Sequence, residues 1–598
     1  MRPCAVRGRE WLLAVGVLAL VALLVVFPML VRGPSLGTDF SFHFTSWVAA
    51  SLSMKAGIWH PHWMPQANWG AGEPRFTFYP PFPWMLGGLL GLLLPWKFVP
   101  LAMGFLFLLA NGLSVRKLAR EWLSARAALL AGVLVMVLGY LPFCLYHRAA
   151  FGELAGSVFL PLMLLYVLRK GGDAKGLRAR VLDATLLKLA LAVMLIWLAS
   201  VPVGVMAVYT ALFLAALAAW RGRSWEPFLR PLLGMAAGMG MAAFYLLPAW
   251  FERHFAALEG ATHDPYLRFD NAWLFDLRFF HPAAEAALHM HDNWHWRELM
   301  RISLMASVLL LLSGWAVMRL KRQGAVVAPE PGKESSWKLL TALPLLVLLM
   351  VLPVSWPLWA LLPELRFVPL PWRWLVVLLP VLAILLAACC ERALATRPLR
   401  SALLLAAGVL LLAVGTGRVF YQGEGGGYPD ERRPAVLLKA LEPGGTGTAG
   451  QPEYSSPPFA DDALVPRSMG DGCLVADPML NLPMRGCAGE LHAEERAPEH
   501  LRLSFSSPSK AFVVIKLRGF AGWRWLVNGQ DMPPIADRND GLVVFPVVAG
   551  ANVIDARWVG GSDLWLGKSL SLLAVLLLVV LLLTGSHFRK READLSRP

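Results

Sequence analysis

Residues 37–81 read GTDFSFHFTSWVAASLSMKAGIWHPHWMPQANWGAGEPRFTFYPP and lie between two strongly apolar segments. An acid, Asp39, and a histidine, His43, follow soon after the first apolar segment, and the stretch ends in Tyr79-Pro80-Pro81. Aromatic residues, prolines and glycines fill the remainder. This pattern is unusual for a passive connector. We predict that the stretch is the functional face of a membrane-embedded enzyme and that the rest of the chain holds or covers it.

The composition of the whole chain indicates a membrane protein. Of its 598 residues, 57% are hydrophobic and 16% are charged, whereas a soluble protein carries about 25% charged residues. Many apolar runs reach the length of about 20 residues that a bilayer-crossing helix needs. The sequence therefore predicts a polytopic α-helical membrane protein with about 12 spans.

The net charge of +15 is unevenly distributed. Residues 421–563 hold 13 Lys and Arg against 18 Asp and Glu, so the basic excess lies elsewhere, largely in the short loops between apolar runs. Such loops favour the cytoplasm. We therefore expect both termini in the cytoplasm and the large loops outside. No nucleic-acid-binding module is evident.

Three regions follow from this topology. Residues 1–420 form a multi-span membrane domain, residues 421–563 an extracytoplasmic β-rich domain, and residues 564–598 a final membrane helix with a basic cytoplasmic tail. The outer loops that we expect to carry the active site are 32–83, 144–153, 251–301 and 355–373. Within the first, Phe40 to Lys55 has helical spacing, which predicts a helix lying flat in the membrane interface.

The β-rich domain is predicted from alternating apolar residues in its second half. Runs at 501–505, 511–517, 523–527, 541–548 and 551–558 read as strands, and Asn528-Gly529 between two of them is a strong hairpin signal. We expect a small β-sandwich. Cys473 and Cys487 share this segment and would form a disulfide if it faces an oxidising compartment; two free thiols are the alternative.

The outer-loop motifs resemble a known family. The first loop contains Asp39-Phe40-x-x-His43, a Gly57-x-Trp59-x-Pro61-x-Trp63 run, and Asn68-x-Gly70-x-Gly72-x-Pro74-x-Phe76-x-Phe78-Tyr79-Pro80-Pro81. Arg148 with Glu153-Leu154-Ala155, and Leu370-Pro371-Trp372-Arg373-Trp374, follow in order. Together they resemble a bacterial membrane family labelled as related to 6-pyruvoyl-tetrahydropterin synthase, although nothing in the chain suggests the fold of that soluble enzyme.

The architecture also resembles GT-C membrane glycosyltransferases, which have an acid in the first outer loop and often a C-terminal β domain. That loop often carries two acids, whereas Asp39 stands alone here. The resemblance implies a catalytic loop that binds a lipid-linked sugar, and we assign Trp63, Asn68 and Tyr79 to substrate binding.

Asp39 has two interpretations. A carboxylate at the membrane surface could act as the general base that takes the proton of an acceptor hydroxyl. Alternatively, Thr38 and Asp39 could simply cap the helix that follows. His43 lies one helical turn further on the same face, where it could orient the acid, contact phosphate or pack in the interface.

Arg148 and Glu153 form a second candidate pair. Arg148 could hold a donor phosphate through charge-assisted hydrogen bonds, and Glu153 could be a second catalytic acid or the ion-pair partner of Arg148. Arg373 is a further phosphate candidate, or an interfacial arginine among aromatic anchors.

A metal site is only weakly indicated. His289, His291 and His295 are closely spaced, but no fourth ligand is specified. We name no cofactor, although a divalent metal is compatible with the sequence.

The predicted function is transfer of a sugar, with inversion, from a polyprenyl-phosphate-linked donor to an extracytoplasmic glycan, lipid or protein acceptor, with Asp39 as general base. The alternatives are a transporter or flippase for lipid-linked saccharides, or a non-catalytic assembly protein. A transporter places ionisable groups within its spans, whereas here they cluster in the outer loops.

Overall fold

A computed structural model describes most of the chain. The described residues are 2–169, 184–257, 268–275, 294–323, 333–362, 364–423, 433–454, 465, 469–482, 486–487, 489–535 and 538–595. Most of the predicted loop 251–301 lies outside them.

Apolar helices account for most of the described chain, as the hydrophobic runs require. The α-helices are Arg2–Arg32, Phe40–Lys55, Arg75–Phe78, Pro81–Leu93, Val99–Ala119, Ala125–Val137, Tyr140–Pro142, Phe151–Leu168, Ala184–Ala199, Val201–Gly222, Glu226–Met241, Ala243–Phe251, Trp294–Arg322, Glu334–Leu340, Leu343–Val351, Trp356–Leu361, Leu375–Thr396, Pro398–Phe420, Pro434–Leu441 and Ser562–Leu595.

The predicted polytopic architecture is confirmed. Within the described ranges, 10 helices are long and apolar enough to cross a membrane, and up to 11 if a bent pair, 227–255, forms one span. The 16-residue apolar helix Ala184–Ala199 corresponds to one of the 12 predicted crossings. The span count from the sequence is thus close, and its ambiguity comes from short and bent helices.

The helix Phe40–Lys55 has the expected bounds but a different environment. We expected its aromatic residues at the level of the lipid headgroups. Instead, Phe40, Phe44 and Trp47 are fully buried. Their neighbours include Trp96, 5.8 Å from the ring of Phe44, and Phe151, 4.8 Å from that of Trp47. Other parts of the protein cover this helix, so these aromatic side chains are not available for contact with lipid.

The predicted β-sandwich is also confirmed. One sheet has the order β2-β1-β5-β8 and the other β3-β4-β9-β6-β7, with antiparallel pairing throughout. The strands are β1 Gly472–Val475, β2 Gly489–Leu491, β3 Glu495–Ala497, β4 His500–Ser507, β5 Ala511–Arg518, β6 Trp523–Val527, β7 Gln530–Asp531, β8 Leu542–Val547 and β9 Gly550–Trp558. Apolar side chains of both sheets meet in one cluster, which the alternation of buried residues along β4 and β6 produces.

The Asn-Gly hairpin connects β6 to β7. Asn528 and Gly529 both have positive φ, at 50° and 82°, which a two-residue hairpin turn requires. The short strands β1 to β3 and β7 carry little alternation and were missed.

The β-sandwich and the segment that leads into it dock onto the first loop. Trp69 N donates to Thr448 O at 2.9 Å and Arg518 N donates to Ala71 O at 2.9 Å. The loop is therefore fixed on two sides, by the helical domain and by the sandwich.

Candidate active site

The site begins at a backbone junction between the first loop and the end of the span Ala125–Arg148. That span finishes in a π turn, Phe143–Arg148, followed by Ala149 with a φ of 52°. Such turns often mark functional positions. Asp39 N donates to Arg148 O at 2.8 Å and Thr38 N donates to His147 O at 3.2 Å. The junction places Asp39 directly beside Arg148.

Gly37 makes this junction possible. A Cβ atom on Gly37 would lie 2.6 Å from His147 O and 2.7 Å from Ala149 N. Both are backbone atoms and cannot rotate away, so only glycine allows the two chains to approach this closely.

Arg148 links two acids from different elements. Its Nη1 lies 2.7 Å from Glu153 Oε2 and its Nη2 lies 3.2 Å from Asp39 Oδ2. Its guanidinium also lies 5.1 Å from the ring centre of Trp372, in the range of a cation–π contact. The sequence prediction that these loops converge is thus matched by the arrangement of the side chains.

Glu153 is the inner member of this group. Its side chain is only 6% exposed, and Tyr140 Oη donates a hydrogen bond to Oε1. With Arg148 and Tyr140 on its two oxygens, Glu153 is an ion-pair and hydrogen-bond acceptor. The geometry favours the ion-pair interpretation of this residue over that of a second catalytic acid.

Asp39 is the accessible member. Its side chain is 38% exposed, and Thr38 Oγ1 donates to its Oδ1 at 3.1 Å. Asp39 occupies the N-cap position of the helix Phe40–Lys55, but its side chain makes no capping hydrogen bond. The capping alternative therefore has no support from the contacts of this carboxylate.

Arg373 adds a second guanidinium to the site. It enters from the short helical turn Pro371–Trp374, at the start of another span. Its Nε lies 3.7 Å from Glu153 Oε2, and among the described residues that nitrogen has no hydrogen-bond partner. Arg373 thus brings positive charge with unused donor capacity to the acid pair.

His43 and Tyr79 lie together beside this cluster. The Tyr79 hydroxyl is 3.5 Å from His43 Nε2, and their rings meet edge to face. Burial lowers the pKa of His43 to about 4, so this histidine is neutral at pH 7. Burial and the nearby charge of Asp39 raise the pKa of Tyr79 above its ordinary value. A neutral pair of this kind can position a substrate but adds no charge.

Two predicted substrate-binding residues lie elsewhere. Trp63 is 1% exposed and packs against Trp523 and Trp558 of the sandwich. Asn68 is fully buried and its Nδ2 donates to Gly72 O at 2.9 Å, which closes a turn. Both contribute to the docking of the first loop, because their side chains face the C-terminal domain rather than the charged cluster.

The metal candidates are not placed. His289 and His291 lie outside the described residues, and so does the side chain of His295. Within the described ranges, no group of three or more His, Cys, Asp or Glu could hold a metal ion. Cys473 and Cys487, by contrast, are joined by a disulfide.

Several buried polar residues of this region were not singled out from the sequence. Arg75 pairs with Glu73, with a distance of 2.5 Å between Nε and Oε1. His147 pairs with Glu298, with a distance of 2.7 Å between Nε2 and Oε2. Glu73 and Arg75 fall on the unspecified positions of the first-loop motif; two charges in so aromatic a loop were the available signal.

The cluster has the parts that a group transfer at a membrane surface needs. An accessible carboxylate can accept a proton, and adjacent guanidinium groups can bind a phosphate. These side chains come from the ends of different candidate membrane spans and from the first loop.

Comparisons with known proteins give a distant likeness in fold. No family model matches the chain, and no curated protein matches it. The chain is similar to the structure of ArnT from Cupriavidus metallidurans bound to undecaprenyl phosphate, at 16% identity and a TM-score of 0.40, covering 72% of this chain and 68% of ArnT.

Two further solved structures are similar at the same level. The arabinofuranosyltransferase AftD from Mycobacteria has 17% identity and a TM-score of 0.40, covering 69% of this chain and 26% of AftD. The Archaeoglobus fulgidus oligosaccharyltransferase in the apo form has 15% identity and a TM-score of 0.37, covering 69% of this chain and 56% of that one. The chain spans only part of either enzyme. At these TM-scores the likeness carries no functional weight, and the chemistry follows from the residues of the site.

Proposed function

We propose that this protein is a membrane glycosyltransferase that moves a sugar from a polyprenyl-phosphate-linked donor to an acceptor hydroxyl on the extracytoplasmic face of the bacterial cytoplasmic membrane. The observation that supports it best is the Asp39–Arg148–Glu153 arrangement. It leaves one carboxylate accessible next to two guanidinium groups. A transferase needs that combination of base and phosphate binder at a membrane boundary.

In the proposed reaction, the acceptor oxygen attacks the anomeric carbon of the donor. The bond between that carbon and the phosphate oxygen breaks, and polyprenyl phosphate leaves with the electron pair. Asp39 takes the proton of the acceptor hydroxyl. Attack opposite to the leaving phosphate inverts the anomeric configuration.

Arg148 and Arg373 have the role of stabilising the leaving phosphate. Guanidinium groups match phosphate oxygens in two-point hydrogen bonds. Arg148 is held in place by Glu153, whereas Arg373 has donor capacity left at Nε within the described structure. We therefore assign stabilisation of the growing charge on the phosphate to both guanidinium groups.

The test uses purified protein in proteoliposomes with labelled polyprenyl-phosphate-linked hexoses and pentoses as donors and a cell-envelope extract as the source of acceptor hydroxyls. We expect the wild-type protein to consume one donor and release polyprenyl phosphate, and Asp39→Asn to lose at least about a hundredfold in rate, within the usual range for a general base. The matched control is Asp531→Asn, since Asp531 is an exposed acid paired with Arg524 on the sandwich. A donor that only changes leaflet, without release of polyprenyl phosphate, would make the protein a flippase and refute the proposal.

A further inference from the structure

Arg75 is a buried cation that connects two distant parts of the chain. Arg75 and its partner Glu73 are each only 1% exposed. Among the described residues, no hydrogen bond or ion pair joins either of them to the Asp39–Arg148–Glu153 cluster. A buried ion pair in a loop needs a reason, since removing charges from water is costly.

On one side, Arg75 holds the first turns of the helix that follows Asp39. Its Nη1 donates to Thr45 Oγ1 at 2.9 Å and to Ser46 Oγ at 3.2 Å. Both hydroxyls donate in turn to the carbonyl oxygen of Phe42, and the guanidinium lies 4.7 Å from the centre of the Phe42 ring. Phe42 is three residues from Asp39, so Arg75 fixes the turn that carries the proposed base.

On the other side, Glu73 holds the segment that leads into the β-sandwich. We call residues 446–454 the arm. Glu73 Oε2 accepts a hydrogen bond of 2.8 Å from Gln451 N, while its Oε1 pairs with Arg75. Tyr454, also in the arm, has its ring centre 6.3 Å from that of Phe42. The ion pair therefore lies between the arm and the Asp39 helix.

The arm is seated on the first loop by close backbone contact. Thr448 N donates to Gln66 O at 2.9 Å. A Cβ atom on Gly450 would lie 1.9 Å from Asn68 Oδ1, and one on Gly447 would lie 2.6 Å from Gln66 O. Larger residues at these two positions would lift the arm off the loop.

We propose that Glu73 and Arg75 are positioning residues that couple the seating of the arm to the placement of Asp39. The planar guanidinium has donors in fixed directions, so Arg75 can bond to Glu73 and to the Asp39 helix at once. When the arm lifts, Glu73 loses Gln451, and Arg75 no longer holds both partners in one geometry. The part of this inference that concerns catalysis rests on the proposed function.

The first test measures the coupling without any substrate. Amide hydrogen exchange of residues 40–47 is compared in purified wild-type protein, Arg75→Lys, Gly450→Ala and the double variant. Lysine keeps the positive charge, but its single ammonium group can bond either to Glu73 or to the hydroxyls of Thr45 and Ser46, and not to both sides at once. We expect each single variant to speed exchange by about tenfold, and the double variant to add less than about twofold more, since residues in one network are not additive.

The matched control is Gly314→Ala, because a methyl group there meets nothing within 4 Å. It should leave exchange of residues 40–47 unchanged. If the effects of Arg75→Lys and Gly450→Ala multiply, the two sites act independently and the coupling is refuted. Should Arg75→Lys fail to fold, Thr45→Val, which keeps the shape but removes one acceptor of Arg75, replaces it in the same cycle.

The second test asks whether the coupling reaches catalysis. With the labelled donor, Arg75→Lys should lower kcat by about tenfold and leave KM within about twofold, because Arg75 is buried away from solvent. A rise in KM with unchanged kcat would refute the positioning role. If exchange is coupled but no protein, wild type included, consumes any donor, the coupling stands and the proposed transfer activity is refuted.

Discussion

Arg148 donates a hydrogen bond of 2.7 Å to Glu153, and both side chains are less than 10% exposed. Glu153 holds Nη1 of Arg148 in the protein interior, and this places Nη2 of the same guanidinium beside Asp39. The two acids on Arg148 therefore have different roles, because Glu153 stabilises the fold whereas Asp39 is available for chemistry.

Replacing Glu153 by glutamine should destabilise the protein strongly. The substitution keeps the shape but leaves the buried charge of Arg148 with Asp39 as its remaining acidic partner. Breaking a buried ion pair costs about 3–5 kcal/mol. We expect a clear fall in the thermal unfolding midpoint of the detergent-purified protein.

Asp39→Asn serves as the control for that variant. Since Asp39 is 38% exposed, we expect a cost below about 1 kcal/mol, as for surface pairs, together with loss of transfer activity. Equal loss of stability in both variants would contradict the division of roles between the two acids.

A methyl group at Gly37 should separate Asp39 from Arg148. Gly37→Ala would place a Cβ 2.6 Å from His147 O, so the first loop must move outward. We expect a cost of about 1–3 kcal/mol, as for overpacking elsewhere, and loss of most activity. The comparison is Gly16→Ala, where a methyl group meets nothing within 4 Å; activity that survives Gly37→Ala at the Gly16→Ala level would count against the junction.

Buried histidines should make the protein acid-sensitive. Burial lowers the pKa of His43 from 6.5 to about 4. Between these two pH values the unfolded chain binds a proton at His43 and the folded protein does not. The stability from this group is complete above about pH 6.5 and is lost as the pH falls towards 4. The loss amounts to about 3 kcal/mol.

The measurement is the unfolding midpoint between about pH 8 and pH 4.5, which spans the titration of an unfolded histidine, for wild type and His43→Phe. Burial also lowers the pKa of His60 to about 4, so His43→Phe should retain about half of the pH dependence. The double variant with His60→Phe should remove both contributions. An unchanged slope in His43→Phe would show that His43 does not contribute to acid sensitivity.

The disulfide offers a test of topology as well as stability. Cys473 and Cys487 close a loop with a sequence separation of 14, for which the chain-entropy model gives about 3 kcal/mol. Reduction should lower the unfolding midpoint. In cells, a maleimide reagent should label the pair only after reduction if the β domain faces an oxidising compartment; labelling without reduction would place it in the cytoplasm.

Much of the fold was predictable because long apolar runs and alternating strands are local signals. The helix Phe40–Lys55 and the strands β4, β5, β6, β8 and β9 follow from spacing alone. The burial of that helix by other parts of the chain could not be predicted from spacing. It depends on long-range contacts such as that between Glu73 and Gln451, which are 378 positions apart.

The site was predictable to the same degree. Asp39, Arg148, Glu153 and Arg373 were expected to converge because each follows or precedes a membrane span at the same side, and the structure brings them together. Only the side-chain exposures of Glu153 and Asp39 in the structure distinguish the buried acid from the accessible one, and no sequence pattern predicts them. Trp63 was wrongly assigned to substrate binding, because a loop sequence does not distinguish an aromatic residue that contacts a substrate from one that packs against another domain.

The seating of the arm on the first loop has a consequence for biosynthesis. The ribosome makes Asp39 and Glu73 early, but Gln451 follows Glu73 by 378 residues, and the strands that cover the loop come later still. At about 5–20 residues per second, that interval lasts from about 20 s to over a minute. Throughout this interval the first loop lacks the contacts that the arm and the strands supply in the complete structure. If the arm positions the base, the nascent protein stays inactive until the arm and the β-sandwich have been synthesised and folded.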